Sequence, residues 1–179
     1  GRWILLTDAS PQQVKTDVRV VEAGGEKKPV AIAETPFNEY DARFSPDGRW
    51  IAYRSSEDGP SEVYVRRFQG VGGKWQVSEG GGAAPLWSPD GTELYFVNGV
   101  TMMSVSVTSD DTGLSLTTPK KLFDLPSGRG YETSYRPYDI SPDGKRFLFT
   151  RTAQPGLERR QINVVLNWFE ELKAKAPTK

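Results

Sequence analysis

The chain of 179 residues contains neither cysteine nor histidine. Disulfides are therefore excluded, together with the thiolate and imidazole ligand sets of the usual zinc, haem and blue-copper centres. Without an imidazole base, no Ser/His/Asp or Cys/His nucleophile system can be assembled. A surplus of one charge is also missing, since 23 Lys and Arg balance 23 Asp and Glu. Polyanion binding needs a basic surplus on the contact face, so nucleic acid is not an expected partner. No apolar run approaches the roughly 20 residues that cross a bilayer, and no membrane segment is expected. The opening GRWILLTDAS lacks the charged, apolar and small-residue regions of a signal peptide. A soluble chain is expected, with bacterial periplasm and cytoplasm both open. It starts inside a repeat, and targeting information on a longer parent would not be visible.

What is present is self-similarity. Phe44 to Tyr53 reads FSPDGRWIAY, Trp87 to Phe96 reads WSPDGTELYF, and Ile140 to Phe149 reads ISPDGKRFLF. Their Ser-Pro-Asp-Gly cores begin at Ser45, Ser88 and Ser141, which sets spacings of 43 and 53 residues. Gly1-Arg2-Trp3-Ile4 repeats Gly48-Arg49-Trp50-Ile51 as a partial fourth copy. Such a period is that of one β-propeller blade. Within each core, Pro presets φ, Asp can bond its own backbone, and Gly supplies positive φ, so the motif reverses the chain between two strands. Apolar β-rich runs follow, separated by polar and Gly-rich breaks.

The expected fold is all-β: one partial propeller domain over 1–179, built of four-stranded antiparallel blades, about four in number, with the first and last incomplete. Blade one covers 1–35 and lacks its inner strand; blade two covers 36–79, blade three 80–126 and blade four 127–166. A short C-terminal helix is expected over 167–176, capped by Asn167, with Trp168, Phe169 and Leu172 laid on a blade or an exposed edge. An open arc of this kind would expose apolar blade faces and unpaired edges. A homodimer of two half-rings closing one propeller is the expected remedy, an open arc or a piece of a longer chain being the rival.

The SPDG repeats, with FNEYDARFSPDGRWIAYRSSEDGPSEVYVRRF and the terminal INVVLNWFEELK, resemble the WD-repeat-like propeller modules of TolB type. They are especially similar to those C-terminal to membrane-anchored bacterial serine/threonine kinases. The resemblance spans nearly the whole chain and implies the propeller fold and a sensor or interaction platform, with no shared catalytic set. It departs in length, since complete members have roughly six or more blades.

The turn aspartates Asp47, Asp90 and Asp143 occupy one position in identical turns, and a structural role is expected for them. Propeller ligands sit at the channel mouth, which maps here to Asn38, Glu39, Tyr40, Asp41, Glu57 and Asp58 in blade two. Gly80, Gly81, Gly82, Ala83 and Ala84 take that place in blade three, and Glu132, Tyr135, Arg136 and Asp139 in blade four. Without His or Cys, a metal would need oxygen ligands, which leaves calcium, magnesium or manganese. Trp3, Trp50, Trp75, Trp87, Tyr53, Tyr95 and Phe149 are expected in inter-blade packing.

Two functions of different class follow. The first is a binding module that recognises a protein or peptide on its loop face and does no chemistry. The alternative is a metal-assisted (Ca2+ or Mn2+) hydrolase of phosphotriesters, esters or lactones in the central channel. Its candidate metal ligands are Glu39, Asp41, Glu132 and Asp139, with Tyr135 or Arg136 steadying the oxyanion. That alternative rests on fold-level analogy.

Overall fold

The structure is a computed structural model that describes residues 2–9, 15–24, 28–57, 59–69, 72–110, 113–125, 138–150 and 163–165. These residues form four antiparallel sheets in chain order and no helix. The first contains β1 (Trp3–Ala9), β2 (Thr16–Glu22) and β3 (Val30–Ala33), in the order β1-β2-β3. The second runs β4 (Glu39–Phe44), β5 (Trp50–Ser55), β6 (Glu62–Arg67), β7 (Lys74–Gln76). The third holds β8 (Ala83–Trp87), β9 (Glu93–Asn98), β10 (Thr101–Ser109), β11 (Leu114–Leu116) and β12 (Lys120–Asp124). The fourth is β13 (Tyr138–Ile140), β14 (Phe147–Phe149), β15 (Asn163–Val165). The helix expected over 167–176 lies outside the described residues.

Side-chain alternation decides how the sheets stack. In β5, Trp50 and Ala52 point to one side and Ile51 and Tyr53 to the other, and all four are buried. Ile51, Tyr53 and Tyr64 join Val18 and Ala33 of the first sheet in one cluster. Trp50, Val63 and Val65 join Trp87, Leu94 and Phe96 of the third sheet in another. Tyr95 and Val97 then join Tyr138, Phe147 and Phe149 of the fourth. Edge-to-face aromatic pairs strengthen these seams: Trp3 with Phe68 at 5.4 Å and Tyr95 with Phe147 at 5.0 Å. Every interior strand thus faces two neighbours, so β5 and β9 read as continuous apolar runs rather than as strict alternation.

The Ser-Pro-Asp-Gly turns are built alike. Ser45 Oγ accepts from Trp50 N at 2.9 Å and donates to Asp47 Oδ1 at 2.5 Å, while Arg49 N donates to the same oxygen at 3.0 Å. Ser88, Asp90 and Thr92 repeat the pattern, as do Ser141, Asp143 and Lys145. Gly48, Gly91 and Gly144 sit at φ of 70, 75 and 70°, the region the turn demands. Consecutive turns also touch: a Cβ on Gly91 would lie 3.5 Å from Pro46 Cδ, and one on Gly144 3.7 Å from Pro89 Cδ.

Two features go beyond the sequence reading. Blade three keeps the four-strand meander and adds β11, so that the nine-residue β10 is forked: β12 pairs with its Thr101–Ser104 end and β11 with Val107–Ser109. The inner strands β4 and β8 also carry equivalent irregularities. Their registers shift between Tyr40 and Arg43 and between Ala83 and Leu86, where Asp41 (φ 59°) and Ala84 (φ 51°) adopt left-handed backbone. Left-handed backbone strains a non-glycine residue. In blade four Tyr138 Oη donates to the Ala84 carbonyl at 2.7 Å, tying that irregularity to the next sheet.

Candidate functional site at the loop face

The end of each blade opposite the turns is formed by loops entering inner strands and loops joining second to third strands. Here each seam is fastened differently. Between blades one and two, Thr16 N donates to Asn38 Oδ1 at 3.0 Å, and within blade one Lys15 Nζ donates to the Thr35 carbonyl at 2.7 Å and Asp17 Oδ1 at 3.0 Å. Between blades two and three, Gly82 N donates to the Ser61 carbonyl at 2.8 Å and Gly81 N to Glu62 Oε1 at 2.8 Å. Ser78 Oγ donates to Glu62 Oε2 and accepts from Val63 N at 2.8 Å. Between blades three and four, Tyr138 Oη donates to the Ala84 carbonyl at 2.7 Å, while within blade three Leu125 N donates to the Val100 carbonyl at 2.7 Å.

Glu39 opens β4 across from Ser55, which in turn lies across from Glu62. Its side chain is fully buried: Oε1 accepts from Thr35 Oγ1 at 2.5 Å and Ser55 Oγ at 3.3 Å, and Oε2 has no hydrogen-bond partner. The surroundings are dry. Burial pushes the Tyr53 phenol up to about 12, with Arg66 pulling it down and Glu39 pushing it further up. Lys74, 4.4 Å from the centre of the Tyr64 ring and ion-paired with Glu57, is held below the ordinary lysine value by burial, against an upward pull from Glu39.

The other expected site residues are placed less closely. Asp41 sits on the β4 irregularity, part-buried. Asp139 is exposed on β13, and its Oδ1 accepts from Ile140 N at 3.0 Å. Glu132, Tyr135, Arg136 and Asp58 lie outside the described residues. Among the described residues no three acidic side chains converge to hold a metal ion, so Glu39, Asp41 and Asp139 do not by themselves form a calcium or manganese centre. Asn38 is bonded into the seam with blade one, Glu57 is ion-paired with Lys74 of its own blade, and Tyr40 Oη lies 3.3 Å from Ser61 Oγ. The carboxyls of Asp90 and Asp143 are held below the usual range, first by their serine hydroxyls and then by backbone N–H groups.

Sequence reasoning passed over Glu62, Ser78 and Arg54. Glu62 had a visible signal, a charge opening the apolar run Val63-Tyr64-Val65. Ser78 and Arg54 had none, because only the fold brings them to the rim.

Solved structures with the same architecture include an Agrobacterium tumefaciens protein assigned as TolB, at 20% identity and TM-score 0.62 over 83% of this chain and 50% of that one. TolB from Acinetobacter baumannii matches at 15% identity and TM-score 0.62, over 93% of this chain and 38% of its own. The fold is a β-propeller of the TolB type. The periplasmic gluconolactonase PpgL of Pseudomonas aeruginosa is a further similar propeller, at 16% identity and TM-score 0.54 over 84% of this chain and 47% of that one. This propeller chain spans 50% and 38% of the length of the two TolB structures. No family model and no curated protein matches the sequence. Among the described residues no helix is long and apolar enough to cross a membrane.

Proposed function

We propose that the chain is a propeller binding module that recognises a protein or peptide on its loop face. The observation that carries this reading is the contrast between the two ends of the blades. Three turns repeat one hydrogen-bond pattern, whereas the seams at the loop face are closed by Asn38, by Glu62 with Gly81, and by Tyr138 with the Ala84 carbonyl, each in a different way. A varied rim on a repeated scaffold is the arrangement expected of recognition. The test is a peptide array probed with the whole chain. Bound sequences are expected to be lost on substitution of Tyr40 or Arg54 and retained on substitution of Arg49 or Lys145 at the turn face; the opposite pattern overturns the reading.

The blade faces support closure by a second copy. Ile4 and Leu6 are 48% and 38% exposed, although the equivalent Ile51 and Tyr53 of blade two are buried against blade one. Leu148 is 41% exposed where its equivalent Ala52 is covered by blade three. One face therefore awaits a preceding blade and the other a following blade, and a two-fold pair of half-rings satisfies both. Light scattering is expected to give twice the chain mass, falling to the monomer for a chain carrying Ile4→Lys and Leu6→Lys.

A second reading keeps one observation in its favour: the buried, unpartnered Oε2 of Glu39. As a ligand to calcium or manganese it would serve a hydrolase of phosphotriesters, esters or lactones, completed by residues such as Glu132. Hydrolysis abolished by chelation and by Glu39→Gln supports that reading; activity indifferent to both removes it.

A further inference from the structure

Arg54 lies on β5, across from Tyr40 of β4 and Val63 of β6, on the side of the blade that faces blade three. Its guanidinium carbon is 4.6 Å from the centre of the Tyr40 ring. Its Nε is buried and has no hydrogen-bond partner, and among the described residues no carboxylate pairs with it. Arg19, whose Nε also lacks a hydrogen bond, is by contrast within ion-pair distance of Asp8, Asp17 and Glu34, and Arg66 donates to the Ile32 carbonyl. Stacking occupies the face of a guanidinium and leaves its N–H edge, the edge that binds carboxylates in a two-pronged way. A buried N–H without an acceptor destabilises the unliganded state, and an incoming oxygen relieves that cost.

Gly82 packs so tightly that a Cβ there would lie 3.1 Å from Val63 Cγ2 and clash with Ser78 Oγ. Ser61 joins the group through its carbonyl, which accepts from Gly82 N, and through its hydroxyl near Tyr40 Oη. Tyr40, Arg54, Ser61 and Gly82 thus meet at the rim between blades two and three. No helix N-terminus accompanies Arg54 among the described residues, while Glu62 lies beside Val63, the β6 partner of Arg54. One cation beside an acid suits a monoanion and disfavours a phosphate dianion.

We propose that Arg54, stacked on Tyr40, is the anchor for a carboxylate carried by a peptide ligand. This rests on the loop-face binding reading and gives that face its chemistry. The carboxylate can come from an Asp or Glu side chain or from a peptide C-terminus, and the two sources are separable.

The experiment is a 15N NMR titration of the whole chain, following the Arg54 Nε–H signal and the Gly81 and Gly82 amides. Three probes are used: Ac-Gly-Gly-Glu-Gly-Gly-NH2, Ac-Gly-Gly-Gly-Gly-Gly with a free C-terminal carboxylate, and Ac-Gly-Gly-Gln-Gly-Gly-NH2 as the neutral control. Saturable movement of the Arg54 signal with one or both acidic probes, and not with the control, is expected, and the responding probe names the source. R54K, which keeps the charge but loses the planar fork, is expected to weaken binding about tenfold, and R54Q to abolish it. Fold retention is checked by the unchanged amide spectrum of blade four. An Arg54 signal unmoved by either acidic probe, or R54K titrating like the parent, overturns the assignment. Array ligands that bind the loop face equally well with R54Q would remove the Arg54 anchor while leaving the loop-face reading in place.

Discussion

The two ends of the blades solve the same problem, joining one sheet to the next, by different means. At the turn face a single device is repeated: a serine hydroxyl that caps the following strand, an aspartate that caps the turn, and a glycine that lies against the previous proline. At the loop face the side-chain devices differ; one seam uses an asparagine amide, another a buried glutamate with a glycine N–H, a third a tyrosine hydroxyl on a backbone carbonyl. The difference separates what a blade needs in order to exist from what it is able to vary. The repeated end tolerates no invention because four residues must cooperate within one turn. The other end needs only some donor and some acceptor, so its side chains are open to other uses.

The sharpest way to break the contrast is Glu62→Ala. It strips the acceptor from both the Ser78 hydroxyl and Gly81 N in a buried place, and a loss of about 3 kcal/mol is expected in urea unfolding. Next comes Gly82→Ala, whose methyl meets Ser78 Oγ and Val63; overpacking at the same seam is expected to cost about 2 kcal/mol. At the turn face the expected effects are graded by burial. Ser45→Ala leaves the Trp50 N–H of a buried turn without its acceptor and should cost about 1 to 2 kcal/mol, whereas Ser141→Ala, in a more open turn, should cost less than about 1 kcal/mol. Equal losses at Ser45 and Ser141 would show that burial does not grade the turns.

The smallest effect is on pH dependence. Asp90 and Asp143 have folded carboxyls held below their ordinary value, so their contribution is present above about pH 4 and is lost as the pH falls through the depressed value. Asp90→Asn should flatten that part of the acid limb of stability, measured by urea unfolding between neutral pH and about pH 3. A steeper acid limb in the variant would mean the wrong groups have been credited. None of the turn-face substitutions should alter carboxylate binding at Arg54.

Much of the architecture was legible because the informative residues are local. Ser-Pro-Asp-Gly announces a turn through properties of those four residues alone, and the spacing from Ser45 to Ser88 carries over to the matching backbone irregularities at Asp41 and Ala84. The irregularities themselves were not legible, since an alanine does not advertise left-handed backbone and an aspartate, which tolerates it, adopts it in few of its positions. The rim was legible only in part. Glu39 and Asn38 were singled out by position, but their burial and hydrogen bonding depend on Thr35, Ser55 and Thr16, residues brought close by register. Arg54 was invisible for the opposite reason: what distinguishes it is a buried Nε without an acceptor beside the Tyr40 ring, and a sequence does not show which donor goes unmatched.

The forked β10 bears on how the molecule behaves in crowded solution. An unbroken outer strand would present a long ladder of unpaired backbone groups to any extended chain that drifts past. Blade three instead ends in two short pieces, β11 of three residues and β12 of five, that pair with different halves of β10. No incoming strand finds more than a few consecutive bonding positions there, and the blade's rim resists the edge-to-edge growth that leads β proteins into fibres.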